Sequence, residues 1–75
     1  MESAIAAFLA VQDRDSRVIF LRRYYFFDSV KEIAQRYCIG ESKVKVTLFR
    51  IRNKLRENLV KEGWIDEGVK ILVTL

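Results

Sequence analysis

The sequence has no proline and no histidine, and it contains one cysteine and three glycines among its 75 residues. No proline, internal repeat or low-complexity linker divides the chain, so it reads as one unit. One cysteine cannot form a disulfide within the chain, and without histidine there are too few ligands for a structural zinc site. We therefore expect helix packing alone to hold the fold together, with no metal and no cofactor.

Long apolar runs and catalytic groups are also missing. No stretch approaches the roughly 20 apolar residues of a membrane span, and the first residues, MESAIAAFLAVQDRD, lack the basic start of a signal peptide. Asp66 and Glu67 are adjacent acids, but no neighbouring base or nucleophile accompanies them, so the sequence shows no machinery for catalysis. We expect a cytoplasmic protein that is not an enzyme, binds no membrane and has no small-molecule substrate.

The length predicts a single small domain. A chain of 75 residues buries only a little over half of the surface that its unfolded state exposes, so its core is thin. We assign residues 1–63 to this domain and residues 64–75 to a C-terminal tail. The tail is apolar and rich in β-branched residues, and three interpretations stay open: a strand that pairs with another chain, a cover on the bundle, or a disordered end.

The apolar spacing before residue 29 predicts two helices. The first covers residues 3–11, and the second begins after a cap at Asp13 or Asp15 and ends near Tyr25. Two basic residues near its end are expected to lie outside: Arg22 and Arg23. Four consecutive aromatic residues are interpreted as core rather than as a stacking platform for bases: Tyr24, Tyr25, Phe26 and Phe27.

The segment 29–56 predicts two helices joined by a tight turn, which is the helix-turn-helix arrangement. Ser29 and Glu32 fit the capping box of a helix start. Residues 38–41 form the turn, and the next helix runs from Ser42 to Glu62, ahead of a glycine. The inward face of the shorter helix is expected to hold Val30, Ile33, Ala34 and Tyr37. The predicted fold is therefore all-α, a small bundle of four helices containing a helix-turn-helix.

The fourth predicted helix has one apolar face and one basic face. Its apolar residues are spaced by three or four positions, as on one side of a helix: Val44, Leu48, Ile51, Leu55 and Leu59. Residues 42–56 hold six cations and no acid: Lys43, Lys45, Arg50, Arg52, Lys54 and Arg56. Since the whole chain has a net charge of +4, the other residues together carry −2, and the positive field is local. Such a surface favours phosphate partners, although a basic face can also be simply solvated.

Residues that point away from the apolar face are candidates for contact with DNA. At about 100° per residue, those that point most directly away are Val46, Phe49, Arg50 and Asn53, with Lys43 and Lys45 on the flanks. Arginine can bind O6 and N7 of guanine, and a valine or phenylalanine edge can contact a thymine methyl group. Val46, Phe49 and Arg50 are predicted to read bases, and so is Lys45, for which a phosphate contact is the alternative. Contacts to the phosphate backbone are predicted for Lys31, Lys43, Arg52, Lys54 and Arg56. Alternatively, Phe49 forms a protein contact, or part of the core if the helix is rotated.

These motifs resemble region four of bacterial RNA polymerase sigma factors, especially the extracytoplasmic-function type. The family segment L-x-x-x-R-x-I-F-x-x-R-Y precedes the helix-turn-helix, and the matching residues stand in the same order here: Arg17, Ile19, Phe20, Arg23 and Tyr24. The family motif EIA is present at residues 32–34. After the turn, ES-x-VK-x-x-LFR-x-R-x-KLRE is present at residues 41–57. The similarity covers about residues 8–63.

The resemblance implies a function in transcription initiation. In that family the second helix of the motif reads the minus-thirty-five promoter element in the major groove, and the residues nearest the bases match Lys45, Val46, Phe49 and Arg50. In that family the domain also docks on the flap of the RNA polymerase core and can be captured by an anti-sigma factor. The region that melts the minus-ten element has no counterpart here, so the resemblance implies that this chain alone does not initiate transcription.

The sequence departs from the family pattern at three places. Val11 and Gln12 stand where a leucine-proline pair is common, and Val46 replaces a small polar residue. Cys38 and Gly40 move the flexible residue of the turn along by two positions, which predicts a looser turn. Two other interpretations compete: a protein-interaction module that binds polymerase or an anti-sigma factor, and a response-regulator effector domain, which shares the EIA and VK motifs.

Overall fold

The computed structural model of the chain describes residues 2–64. Within this range the chain forms four helices and no strand: α1 (Glu2–Ala10), α2 (Arg14–Tyr24), α3 (Val30–Tyr37) and α4 (Glu41–Lys61). The predicted all-α bundle of four helices is therefore confirmed. None of these helices combines the length and the apolar character that crossing a membrane requires. The predicted tail lies, apart from Trp64, outside the described residues.

Side-chain caps define where α2 and α3 begin. Asp13 caps α2, because its carboxylate accepts hydrogen bonds from the backbone N–H of Ser16 at 3.0 Å and from the Ser16 hydroxyl at 2.8 Å. The predicted capping box of α3 is confirmed. The Ser29 hydroxyl accepts from the Glu32 N–H at 3.0 Å, and the Glu32 carboxylate accepts from the Ser29 N–H at 2.9 Å. These bonds satisfy amide groups that a helix start otherwise leaves unpaired.

The turn between α3 and α4 is closed by backbone hydrogen bonds rather than loosened by glycine. Cys38 adopts the left-handed conformation, with φ of 55°, and the Ile39 N–H donates to the Ala34 carbonyl at 3.0 Å. Gly40 has an ordinary extended backbone (φ −73°, ψ 151°) and offers no side chain to cap α4. The expected shift of the flexible position to residue 40 is therefore wrong, because the left-handed turn is made by Cys38 itself.

α4 is the central element of the bundle and contacts α1, α2 and α3. Its five predicted core residues are all buried, which confirms the predicted face: Val44, Leu48, Ile51, Leu55 and Leu59. The other helices bury a matching set against them: Phe8, Leu9, Ile19, Phe20, Tyr24, Ile33 and Ala34. Burying one such aliphatic side chain contributes roughly 1.5–3 kcal/mol to the free energy of folding. This single cluster thus determines how α4 is rotated.

Several expectations about the aromatic residues are wrong. Tyr24 is buried, and its ring lies 4.8 Å from that of Phe20. The three aromatic residues that follow it are exposed: Tyr25, Phe26 and Phe27. They lie beyond the last turn of α2, where the chain leaves the helix and no other described element covers them. Tyr37, expected to be core, is also exposed at the C-terminal end of α3.

Arg22 and Arg23 were expected to lie outside the bundle, and both are half-buried instead. The Arg22 Nε lies 2.7 Å from Oδ2 of Asp28, and Arg23 donates to the Asp28 carbonyl at 3.3 Å, which draws both side chains along the surface of the bundle. A charged side chain can be partly buried at small cost when a carboxylate satisfies its donors. The correction therefore comes from a pairing between α2 and the connection that follows it.

Candidate nucleic-acid interface

The side of α4 opposite the core is open to solvent. Val46 is 47% exposed and Phe49 is 60% exposed, although both are apolar. Lys45 and Arg50 are exposed beside them. The buried stripe of α4 lies on the opposite side of the helix, so these four residues cannot join the core at the same time. The structure thus brings together the four residues that the sequence predicts as base readers.

The predicted backbone-contacting residues have two kinds of surroundings. Lys43 and Lys54 are exposed on α4, whereas Arg52 and Arg56 on the same helix are half-buried. Long basic side chains commonly bury their stems and keep their charged ends in water. Lys31 is exposed in the first turn of α3. Since α3 has eight residues and rises about 1.5 Å per residue, Lys31 lies roughly one helix length from the turn into α4.

A cleft of about 590 Å³ separates the start of α2 from the first half of α4. Three residues of α4 line it, at spacings of four and three that place them on one edge of the helix: Lys43, Thr47 and Arg50. The first turn of α2 and its cap line the opposite wall: Asp13, Arg14, Asp15 and Ser16. Arg50 therefore lies on the α2 side of the open face and borders the cleft.

The cleft contains charges of both signs. Its cations are Arg14, Lys43 and Arg50, and its carboxylates are Asp13 and Asp15. In the described part of the chain, no ion pair shorter than 4.0 Å joins the two walls. The two cleft cations on α4, Lys43 and Arg50, are therefore not paired with the carboxylates of the opposite wall and can meet a phosphate group, while those carboxylates oppose one.

The pKa of Asp13 is lowered, mainly by the hydrogen bond from the Ser16 backbone N–H and next by the Ser16 hydroxyl. The positive charge of Lys54 lowers it by a smaller amount. These hydrogen bonds stabilise the charged carboxylate, so Asp13 stays ionised at neutral pH. The cap of α2 is thus a fixed negative charge at the edge of the basic face of α4.

Sequence reasoning missed the contribution of α2 to this surface. It treated Asp13 and Asp15 only as caps and gave no role to Arg14. The first turn of α2 and the residues of α4 that face it are about 30 positions apart, and no spacing rule connects segments so distant in the chain. Only the packing of α2 on α4 brings them to one cleft.

The described residues contain no cluster of three or more histidine, cysteine or acidic side chains that could hold a metal ion. Comparison of the chain with protein-family models, with curated proteins and with solved structures gave no match in any of the three. The interpretation of the basic face of α4 therefore depends on its own geometry and charge, together with the motif resemblance given above.

Proposed function

We propose that the chain is a promoter-recognition module that binds duplex DNA through α4, as region four of a sigma factor does. The observation that carries this proposal is the open side of α4, where Val46, Phe49 and Arg50 are uncovered while the apolar stripe opposite them is buried. α3, the turn and α4 together act as the helix-turn-helix, with α4 as the recognition helix.

The dimensions and charges of α4 suit a major groove. The helix has 21 residues and is therefore about 30 Å long, and the major groove admits an α-helix. Arg50 donates two hydrogen bonds to a guanine, and Val46 and Phe49 contact thymine methyl groups. Lys45 lies within reach of a base or a phosphate. Phosphates on either side are neutralised by lysine and arginine side chains: Lys31, Lys43, Arg52, Lys54 and Arg56.

Such a module requires a tethering partner. A good bidentate base contact is worth about 1–3 kcal/mol of discrimination, and a genome offers roughly 10⁶ or more competing sites. One helix that reads a few bases cannot overcome that ratio alone. Attachment to the RNA polymerase core raises the local concentration of the module at a promoter. The proposal therefore includes the polymerase core as a partner, an anti-sigma factor as a possible regulator, and action in the cytoplasm.

A binding titration against randomised DNA duplexes at two salt concentrations tests this function. The expected result is enrichment of a short common sequence, with an affinity that falls steeply as salt rises, because each neutralised phosphate releases counterions. Lys61→Ala is the matched control for variants that remove a cation from α4, since Lys61 is an exposed cation in the last turn of α4 that is assigned no contact. Absence of duplex binding at low salt would overturn the proposal and favour a protein-interaction module.

A further inference from the structure

The connection between α2 and α3 exposes three consecutive aromatic side chains, Tyr25, Phe26 and Phe27, which we call the aromatic turn. Phe26 is 61% exposed and Phe27 is 76% exposed. Taking about 200 Å² for an aromatic side chain, the three together present roughly 400 Å² of surface. The largest exposed apolar patch of a typical monomer has about this size and is often functional.

Hydrogen bonds at both ends hold the aromatic turn in one conformation. The N–H groups of Tyr25 and Phe26 both donate to the Leu21 carbonyl, at 2.9 and 3.1 Å. At the other end, the Asp28 N–H donates to the Arg22 carbonyl at 2.9 Å, and the capping box of α3 begins at the next residue. A surface that is already ordered loses little conformational entropy when a partner binds it.

Phe27 has a backbone conformation that its side chain disfavours. Its φ of 59° lies in the left-handed region. Glycine adopts this region without steric cost, whereas a bulky residue there is an outlier. A glycine there would make the same turn at lower conformational cost, but it would remove the most exposed aromatic ring of the three. Strained backbone positions cluster at functional sites, so the left-handed conformation of an exposed Phe27 points to a role outside folding.

Arginines outnumber carboxylates beside the aromatic turn. Asp28 receives contacts from three arginines: Arg22 Nε at 2.7 Å and Arg36 Nε at 3.8 Å from its Oδ2, and a hydrogen bond from Arg23 to its carbonyl at 3.3 Å. The Asp28 side chain is only 12% exposed, whereas that of Arg36 is 53% exposed. The exposed carboxylate of Glu32 also lies near Asp28 and Arg36. The surface that a partner meets here is therefore aromatic in the middle, with three arginines and two carboxylates at its edge.

We propose that the aromatic turn docks an acidic amphipathic helix of another protein, with its apolar side chains on Phe26 and Phe27 and its carboxylates near Arg36. Charge complementarity selects such a partner over a basic or neutral one. The area of one partner in a stable complex is about 800 Å², roughly twice that of the aromatic turn. The contact is therefore weak by itself and acts as one of several, or within a tethered assembly.

A protein segment fits this surface better than single-stranded nucleic acid does. In proteins that bind single-stranded nucleic acid, the bases stack on open aromatic faces. Here the guanidinium of Arg22 lies over the ring of Phe26, 4.6 Å from its centroid. One face of that ring is therefore occupied. The same guanidinium is paired with Asp28, so it is less available to a phosphate.

A synthetic helical peptide with leucine on one face and glutamate on both flanks serves as the probe. Binding is followed through the amide chemical shifts of the whole chain, with two comparison probes: the same peptide with lysine in place of glutamate, and single-stranded oligothymidylate. We expect the acidic peptide to shift the amides of residues 25–29 and the lysine peptide to leave them unchanged. Higher salt should weaken the acidic peptide's binding.

Three variants separate docking from folding. Phe26→Ser and Phe27→Gly should each weaken the binding of the acidic peptide by about tenfold, as truncation of a buried anchor residue does. Phe27→Gly should also keep or raise the thermal midpoint, which excludes misfolding as the cause. Val11→Ser is the matched control, because Val11 is an apolar residue just after α1 that is 80% exposed and is assigned no contact, and it should leave peptide binding unchanged.

Three results would overturn the proposal. The first is that the acidic peptide shifts no amide of the aromatic turn. The second is that the lysine peptide binds as well as the acidic peptide, which would show that charge does not select the partner. The third is binding of oligothymidylate at these residues in preference to the acidic peptide, which would assign the surface to single strands. Each is read independently of duplex binding by α4, so a failure here leaves the proposed promoter recognition standing.

Discussion

Arg22 and Asp28 are joined twice, once through their side chains and once through their backbones. The Arg22 Nε lies 2.7 Å from the Asp28 carboxylate, and the Asp28 N–H donates to the Arg22 carbonyl at 2.9 Å. The two residues are six positions apart, so these contacts close the loop that carries the aromatic turn. The relationship determines both the exit of the chain from α2 and the entry into α3.

Removing this carboxylate is expected to destabilise the domain. Asp28→Ala should lower the free energy of unfolding by about 1–3 kcal/mol, because a charged hydrogen bond is lost and the half-buried Arg22 is left without its partner. Arg36→Ala is the control, since its contact is longer and its side chain is 53% exposed; it should cost less than about 1 kcal/mol. Urea unfolding of the two variants measures both values, and an equal loss in both would contradict this ranking.

Glycine at the two left-handed positions is expected to stabilise the fold. Phe27 and Cys38 have φ of 59° and 55°, and a side chain in this region costs roughly 1–2 kcal/mol. Part of that gain is offset because glycine makes the unfolded chain more flexible. Cys38→Gly and Phe27→Gly should each raise stability by about 0.5–1 kcal/mol. Gly40→Ala, at an ordinary φ of −73°, is the comparison and should show no such gain by thermal unfolding.

The rotation of α4 predicts opposite effects on its two sides. Leu55 is fully buried, and Leu55→Ala should cost about 2–5 kcal/mol, from lost transfer energy and the cavity left behind. In a domain with so thin a core, that loss approaches the whole stability. Val46→Ala, on the open side, should change stability by less than about 0.5 kcal/mol. Denaturant midpoints of the two variants test this difference, and a large effect of Val46→Ala would mean that its side of α4 is covered.

Loss of single charges on α4 should separate base reading from phosphate contact, if the proposed function holds. Arg50→Ala should relax sequence preference at one position and cost about 1–3 kcal/mol of binding energy. Lys54→Ala should weaken all sequences alike and reduce the dependence of affinity on salt by about one phosphate contact. Affinities measured on matched and scrambled duplexes at several salt concentrations decide between the two roles. Unchanged binding in both variants would remove α4 as the interface.

Acid is expected to weaken the starts of α2 and α3. The pKa of Glu32 is lowered chiefly by the hydrogen bond from the Ser29 backbone N–H and next by the Ser29 hydroxyl, and that of Asp13 by Ser16 in the same order. A carboxylate with a lowered pKa in the folded state stabilises the fold above its unfolded-state pKa, and this contribution is lost as pH falls through the folded value. The thermal midpoint should therefore decrease as the pH is lowered below roughly 4.

Glu32→Gln provides the control for the acid effect. Glutamine can still accept the hydrogen bond of a capping box but does not titrate. The variant should show a smaller loss of thermal midpoint between neutral pH and acid than the parent chain. The same acid dependence in both would assign the effect to other carboxylates.

Local signals predicted α4 and the end of α2 well, but they did not predict that the aromatic residues after α2 are exposed. The buried stripe of α4 follows from a spacing of three and four, which neighbouring residues determine by themselves. Tyr25, Phe26 and Phe27 were placed in the core because proteins that bind single strands usually display their stacking aromatic residues on sheets. The sequence contains no local sign that Asp28 contacts three arginines or that these three rings stay exposed.

The sequence by itself determined the four helices and the buried side of α4, because caps and helical spacing involve residues only a few positions apart. Tertiary structure alone decided which surfaces surround α4. The first turn of α2 reaches the cleft beside Lys43 and Arg50, and the aromatic turn stays uncovered, because both depend on how distant helices pack. Whether a charged or aromatic side chain ends up at an exposed edge of the bundle depends on this packing. Neighbouring residues in the sequence do not encode it.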